Sequence, residues 1–265
     1  MPDADVGVFG GSGFYEFLDD VEFVEVETPY GRPSAPFAIA RVESKRVAFL
    51  PRHGRGHELP PARINYRANV WAMRELGARR LIGPCASGAL RSDLQRGEFV
   101  ICDQFVDRTW GRPDSYYEGP ETAHVSAADP YCEDLRHVLV ETARELRIPV
   151  RDGGTVVVIQ GPRFSTRAES RWFQQMGWDV VNMTAYPECH LARELGLCYA
   201  NVSMVTDYDV GLEGADPVSS DEVLRFFHKN TARLKDLLLA AIPSFGPQPD
   251  DDCANALAGA VVSPT

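Results

Sequence analysis

Cys198-Tyr199-Ala200-Asn201-Val202-Ser203-Met204-Val205-Thr206-Asp207-Tyr208-Asp209 is the stretch that decides the architecture. Its first eight residues, mostly apolar or small, read as a strand covered on both faces, and the run then breaks into Thr-Asp-x-Asp. Upstream, Asp179-Val180-Val181 leads in the same way into Asn182-Met183-Thr184. Taken alone, Asp-x-Asp after a strand is a solvated turn or a helix cap. Two polar strand ends in one chain read differently, because α/β proteins collect ligand chemistry at strand termini.

Further strands are expected over 6–9, 37–42, 46–50, 80–82, 98–105 and 155–159, with these two over 179–183 and 199–206. Amphipathic helices are expected over 63–76 and 131–146. A third, over 188–195, is bracketed by Pro187 at its first position and Gly196 beyond its end. A fourth, over 223–239, follows a capping box of Ser219 and Glu222. Alternating strands and helices imply an α/β fold: a single three-layer domain over 1–245, with a mixed central β-sheet flanked by helices. A tail over 246–265, rich in Pro, Gly, Asp and Ser, carries a short apolar stretch that would pack on this subunit or a neighbouring one.

A net charge of −11 opposes contact with nucleic acid, whose affinity comes mainly from neutralised phosphates. No apolar run reaches the ~20 residues of a membrane span, and Met1-Pro2-Asp3-Ala4-Asp5 is acidic where a signal peptide is basic, so the expected compartment is the cytoplasm. The six cysteines are scattered without close pairing, which indicates neither a disulfide framework nor a C-x-x-C metal site, while their even number leaves one disulfide pair open.

Several strand ends carry candidate chemistry. Gly10-Gly11-Ser12-Gly13 could wrap backbone N–H groups around an anion, although alone it reads as a tight turn without dinucleotide or P-loop spacing. Arg52-His53-Gly54-Arg55-Gly56-His57 puts two arginines and two histidines in a loosened loop suited to phosphate. A metal reading of His53-x-x-x-His57 needs a helix, which the two glycines oppose. The small residues of Cys85-Ala86-Ser87-Gly88 allow close approach to a ligand or tight packing. Phe164 in Gly161-Pro162-Arg163-Phe164-Ser165 could face a planar base or sit in the core.

Together with Asn65-Tyr66-x-Ala68-Asn69 and Asp103-Gln104-Phe105-Val106-Asp107-Arg108-Thr109, these motifs resemble the trimeric purine nucleoside phosphorylase family, and within it the 5′-methylthioadenosine phosphorylase branch. The resemblance runs from about residue 6 to 242. It implies a phosphate held by Ser12, Arg52, His53, Thr184 and a Cys85–Ala86 turn. Met183 would lie under the ribose, Phe164 and Ser165 beside the base, and Ser220 at the 5′-substituent. Asp207 and Asp209 would meet purine N7 and the 6-amino group, whereas the 6-oxopurine branch has Asn at the first of these positions. His124 and Val262 would reach a neighbouring subunit's site in a homotrimer.

The implied reaction is phosphorolysis of a 5′-modified adenosine, with a nucleoside and orthophosphate as substrates and no metal or organic cofactor. A broader purine nucleoside phosphorylase is the alternative. A hydrolase would share the purine-leaving step but leave the basic loop unused, and a dinucleotide-binding module would leave Arg52, His53 and the acidic pair without a role. The chain departs from the branch at Cys85, where a threonine is usual, at Ser220, usually apolar, and at Gly211, often aromatic. The first departure implies weaker phosphate binding and the other two leave the 5′ group open.

Overall fold

The computed structural model describes residues 4–10, 20–210, 218–248 and 251–262. In chain order the elements are β1 (Val6–Val8), β2 (Glu22–Val24), β3 (Phe37–Val42), β4 (Lys45–Phe49), α1 (Tyr66–Glu75), β5 (Arg80–Ala89), β6 (Phe99–Ile101), β7 (Gln104–Arg108), β8 (Thr122–Ala123), α2 (Glu133–Glu145), β9 (Val150–Asp152), β10 (Thr155–Ile159), α3 (Arg167–Gln175), β11 (Val180–Asn182), α4 (Ala185–Glu194), β12 (Cys198–Asp207), α5 (Ser220–Ala241) and β13 (Val261–Val262). Eleven of the strands form one mixed sheet.

Period-two alternation along β12 separates the two faces. Tyr199 and Val205 join a core with Val70, Met73 and Leu76 of α1 and Cys189, Leu191 and Ala192 of α4. Ala200, Val202 and Met204 join the opposite core, with Leu135 and Leu139 of α2 and Leu234 and Leu237 of α5. Each of these buried leucines contributes about 1.5–3 kcal/mol. The three-layer arrangement expected from the sequence is therefore present. Asn201 and Ser203 are odd-numbered as well, which puts these polar residues toward the α1/α4 layer, and the register then shifts between Val205 and Asp207.

Strand β5 is the hub of the sheet. On one side it runs parallel to β12 from Arg80 to Gly88. On the other, β1 pairs with it only through Ile82, and β11 meets it only at Gly88 and Ala89. Among the described residues, 83–87 therefore have a neighbouring strand on one side alone, and this gap opens the floor of the candidate site. It also explains how Pro84, which has no N–H to donate, sits inside a central strand. Cys85 and Ala86 consequently lie within β5 and not in a turn after it, a correction to the expectation from their small size.

The expected strand over 98–105 divides, because β6 pairs with β12 and β9 while β7 crosses to β10. Asp103, at the switch, accepts from Gly154 N (3.0 Å). Tyr186 is extended (φ −113°, ψ 138°), so regular α4 geometry begins at Pro187, and Gly196 follows with φ +66°. Asn65 caps α1 by accepting from Ala68 N, and Asn69 accepts from Ser34 N (2.8 Å), so this motif anchors the preceding loop. Ser219 stands just before α5, and the Glu222 side chain of the expected capping pair lies outside the described residues.

The tail folds back on its own chain: Gln248 Nε2 donates to Gly196 O, and β13 pairs antiparallel with β8. The cysteines are also less scattered than their sequence positions suggest. Cys132, Cys198 and Cys253 converge in three dimensions, although 66 residues separate the first two, because the tail packs over the starts of α2 and β12.

Candidate active site

Arg52 arrives at the gap in the sheet from the end of β4. Its Nε and Nη2 donate to Glu188 Oε2 and Oε1 at 2.9 and 2.8 Å, and Nη1 donates to Pro84 O at 2.8 Å. Both side chains are buried, and the guanidinium lies over the Phe9 ring. Burial would drive the proton off Arg52, but the Glu188 carboxylate more than offsets this and holds the group above its ordinary range. Tyr199 OH donates to Glu188 Oε1 (2.7 Å), which braces the carboxylate from β12.

Beside this pair, Cys85 Sγ lies 3.1 Å from Thr184 Oγ1, and Asn201 Nδ2 donates to Gly83 O (2.8 Å). Burial pushes the Cys85 thiol up, so it remains S–H and offers only a weak donor. Ala86 is the one residue of β5 that is not fully buried. Asn182 Oδ1 accepts from Thr184 N and Ala185 N, turning the chain from β11 into α4.

His53 Nδ1 contacts Leu59 O (2.9 Å); a carbonyl only accepts, so Nδ1 carries the proton and Nε2 keeps a lone pair. Burial, reinforced by Arg52 and His57, lowers its pKa to about 4. The ring is neutral at neutral pH and stacks on His57 at 4.4 Å. The loop itself is a series of turns, with Gly54 at φ +81° and Gly56 N donating to Glu58 Oε2.

The acidic pair lies at the far end of β12. Asp207 Oδ2 accepts from Thr206 Oγ1 (2.8 Å) and Oδ1 from Asp209 N (3.0 Å). Asp209 holds φ +35°, a left-handed conformation that costs of order 1 kcal/mol and turns both carboxylates back toward the sheet. Burial pushes the Asp209 carboxyl up, the charge of Asp207 adds to this, and the Ser170 and Ser165 hydroxyls oppose it. Among the described residues Asn182 Nδ2 is buried at this site without a hydrogen-bond partner. Native interiors rarely leave such an atom unpaired, and a polar ligand would satisfy it.

Cys85 and Gly88, which register with Ser203 and Asp207, are three residues apart on β5, or about 10 Å. The Arg52 end and the acidic end thus lie along one stretch of β5. A model of the phosphorylase superfamily matches residues 5–243.

The chain belongs to the phosphorylase superfamily.

It is similar, at 52% identity, to a purine nucleoside phosphorylase of Streptomyces coelicolor, covering 97% of this chain and 95% of that one. It is 51% identical to an S-methyl-5′-thioadenosine phosphorylase of Pyrococcus horikoshii, covering 95% and 97%. A crystal structure of methylthioadenosine phosphorylase from an antarctic soil metagenomic library superposes with a TM-score of 0.94, at 37% identity over 100% of this chain and 94% of that one.

In this phosphorylase, Met183 packs over Gly161, where an added Cβ would lie 2.5 Å from its sulfur. Phe164 is half-buried, and Arg163 donates to its carbonyl. Ser12 and Gly211 lie outside the described residues, as does the side chain of Ser220. His124 and Val262 both lie on the β8–β13 ribbon, where His124 N donates to Ala260 O and Val262 pairs with Thr122, and both are exposed. Among the described residues no helix is long and apolar enough to cross a membrane.

Glu188, Tyr199 and Asn201 escaped the sequence reading, yet they left a signal. Glu188 shares the apolar i, i+3, i+4 face of α4 with Leu191 and Ala192, and an acid there requires a buried cation. Arg112 was also missed. It donates to the carbonyls of Gln160 (2.8 Å), Met183 (3.0 Å) and Tyr186 (2.7 Å), fastening the β10 end to the Met183 platform.

Proposed function

We propose that this phosphorylase cleaves 5′-methylthioadenosine with orthophosphate, giving adenine and 5-methylthioribose 1-phosphate. Phosphate sits among Arg52, His53, Thr184, Cys85 and Ala86, with Ser12 closing the cradle. The neutral His53 offers its lone pair to the hydroxyl of a monohydrogen phosphate. Met183 underlies the ribose, and Phe164 and Ser165 border the base.

In the reaction the C1′–N9 bond breaks with its electron pair passing to the purine, while a phosphate oxygen bonds C1′. The ribosyl cation that develops lies against the phosphate anion. A protonated Asp207 gives its proton to N7 as that bond breaks, and Asp209 accepts from the 6-amino group, so the base leaves as neutral adenine. The two substrates and these side chains supply every charge the step requires.

The observation that carries the adenine reading is the aspartate at 207. An asparagine amide could donate to a 6-oxo group and accept from N7–H, whereas an aspartate that gives its proton to N7 has no donor left for a 6-oxo oxygen. A second reading, a broader purine nucleoside phosphorylase, is favoured by the similarity to the Streptomyces protein. Incubating the protein with 5′-methylthioadenosine, adenosine and inosine, and following free base by chromatography, separates them. Adenine release at least ~100-fold faster than hypoxanthine release supports the proposal; comparable rates overturn it.

The exposed His124 and Val262, carried on one ribbon, complete the 5′ side of an adjacent subunit's site in a homotrimer.

A further inference from the structure

Three thiols and a carboxylate from distant parts of the chain meet at a buried point. Cys132 is the N-cap of α2, Cys198 opens β12, and Cys253 and Asp251 belong to the tail. Their four ligand atoms all lie within 4.8 Å of one another, and all three cysteines are buried. Backbone bonds fix the first two mounts: Cys132 N donates to Tyr199 O (2.8 Å) and Cys198 N to Arg79 O (3.0 Å). Asp251 Oδ1 accepts from Cys253 N and Ala254 N at 3.0 and 3.1 Å, which folds the tail into a turn that presents both residues together.

We propose that Cys132, Cys198, Cys253 and Asp251 form a structural zinc site. A tetrahedral ion with bonds of about 2.3 Å puts its sulfur ligands about 3.8 Å apart, so the cluster needs to contract by only about 1 Å. Three soft sulfurs and one oxygen in a closed, buried setting select zinc over magnesium or calcium.

The surroundings favour the charge such a site carries. Cys132 lies at the positive end of α2 and close to Arg80, whose Nη groups are held by Asp134 and Pro247 O. Packing of three apolar thiols would not call for Asp251 among them. A disulfide between any two would leave the third sulfur unmatched beside that carboxylate, whereas one divalent ion uses all four groups.

The cluster is at the opposite end of β12 from Asp207, nine residues or about 30 Å away along the strand. Its role is therefore to fasten the tail to the start of α2 and β12, upstream of the β13 strand that pairs with β8.

Metal analysis of the untagged protein, purified without chelator from zinc-supplied cells, tests the site. We expect about one zinc per chain, released by a thiol-blocking reagent. After removal of metal under reducing conditions, Co2+ should give the visible d–d bands of a tetrahedral thiolate complex. Cys253→Ser and Asp251→Ala, both in the tail and outside the sheet, should weaken zinc retention at least ~10-fold and lower the melting temperature of the zinc-loaded protein toward that of the metal-free one. Two outcomes overturn the proposal: no zinc and no Co2+ spectrum from the reduced wild-type protein, or an intact mass short by two hydrogens with only one of the three thiols open to alkylation.

Discussion

Arg52 and Glu188 form a two-point ion pair, Nε to Oε2 and Nη2 to Oε1, with the carboxylate wholly shielded from water and the guanidinium nearly so. The pair holds the guanidinium plane at the gap in the sheet with Nη1 beside Pro84 O and Cys85. Removing one partner strands the other as a buried charge, at a cost of about 3–5 kcal/mol. Glu188→Gln should therefore lower the urea midpoint and raise the KM for phosphate together. Arg52→Lys keeps the charge but loses the fork. Phosphate saturation kinetics should then show at least a ~10-fold higher KM for phosphate with little change in that for the nucleoside.

Asp207→Asn exchanges an acid for an amide at the position that meets N7. Base-release assays should show kcat for 5′-methylthioadenosine falling by about 100- to 10,000-fold, the range for losing a general acid, while inosine cleavage is unchanged or improved. Unchanged turnover of adenine nucleosides would refute the role given to Asp207.

Gly88 tests the same pair by steric means. A Cβ added there would lie 2.8 Å from Asp207 Oδ1 and 3.3 Å from Asp209 Cβ. Gly88→Ala should displace both carboxylates, cutting kcat/KM for 5′-methylthioadenosine at least ~10-fold with an overpacking cost of about 1–3 kcal/mol. Steady-state kinetics and a thermal melt on one preparation separate the two effects.

The pH dependence of stability follows from His53. Its folded pKa, about 4, lies below the unfolded value of 6.5, so between these the folded state binds fewer protons. The contribution is complete above pH 6.5 and is lost as the pH falls toward about 4. Asp209 is shifted up and acts in the opposite sense as the pH falls, so the difference between variants isolates the histidine. Melting temperatures taken from about pH 7 down to about pH 4.5 should fall less steeply for His53→Gln than for the wild type.

Much of this arrangement could be read before the fold was known, for physical reasons. Strands covered on both faces leave continuous apolar runs, so β3, β10 and β12 were visible, and the polar breaks after β11 and β12 marked the residues proposed to meet the ribose and the base. Short edge strands such as β2, with Glu22 and Phe23 exposed, carry no such run. The division of 98–105 was hidden because Val100 and Phe105 suit either branch of the sheet equally well. Glu188 and Arg112 were missed because their partners lie far off in sequence: the counter-ion of Glu188 is 136 residues away, and Arg112 binds carbonyls, which have no residue signature. Cys132, Cys198 and Cys253 came together only once the tail had a place to pack.

The central claim is that Arg52 and its neighbours deliver phosphate, and not water, to the glycosidic carbon as Asp207 and Asp209 release adenine. Phosphorus NMR of the protein turning over 5′-methylthioadenosine in phosphate buffer, with adenine followed in parallel, tests it most directly. The account predicts a sugar 1-phosphate ester appearing in equal amount with adenine, and no adenine when phosphate is withheld. Adenine released at the same rate without phosphate, with no new phosphorus resonance, would contradict it.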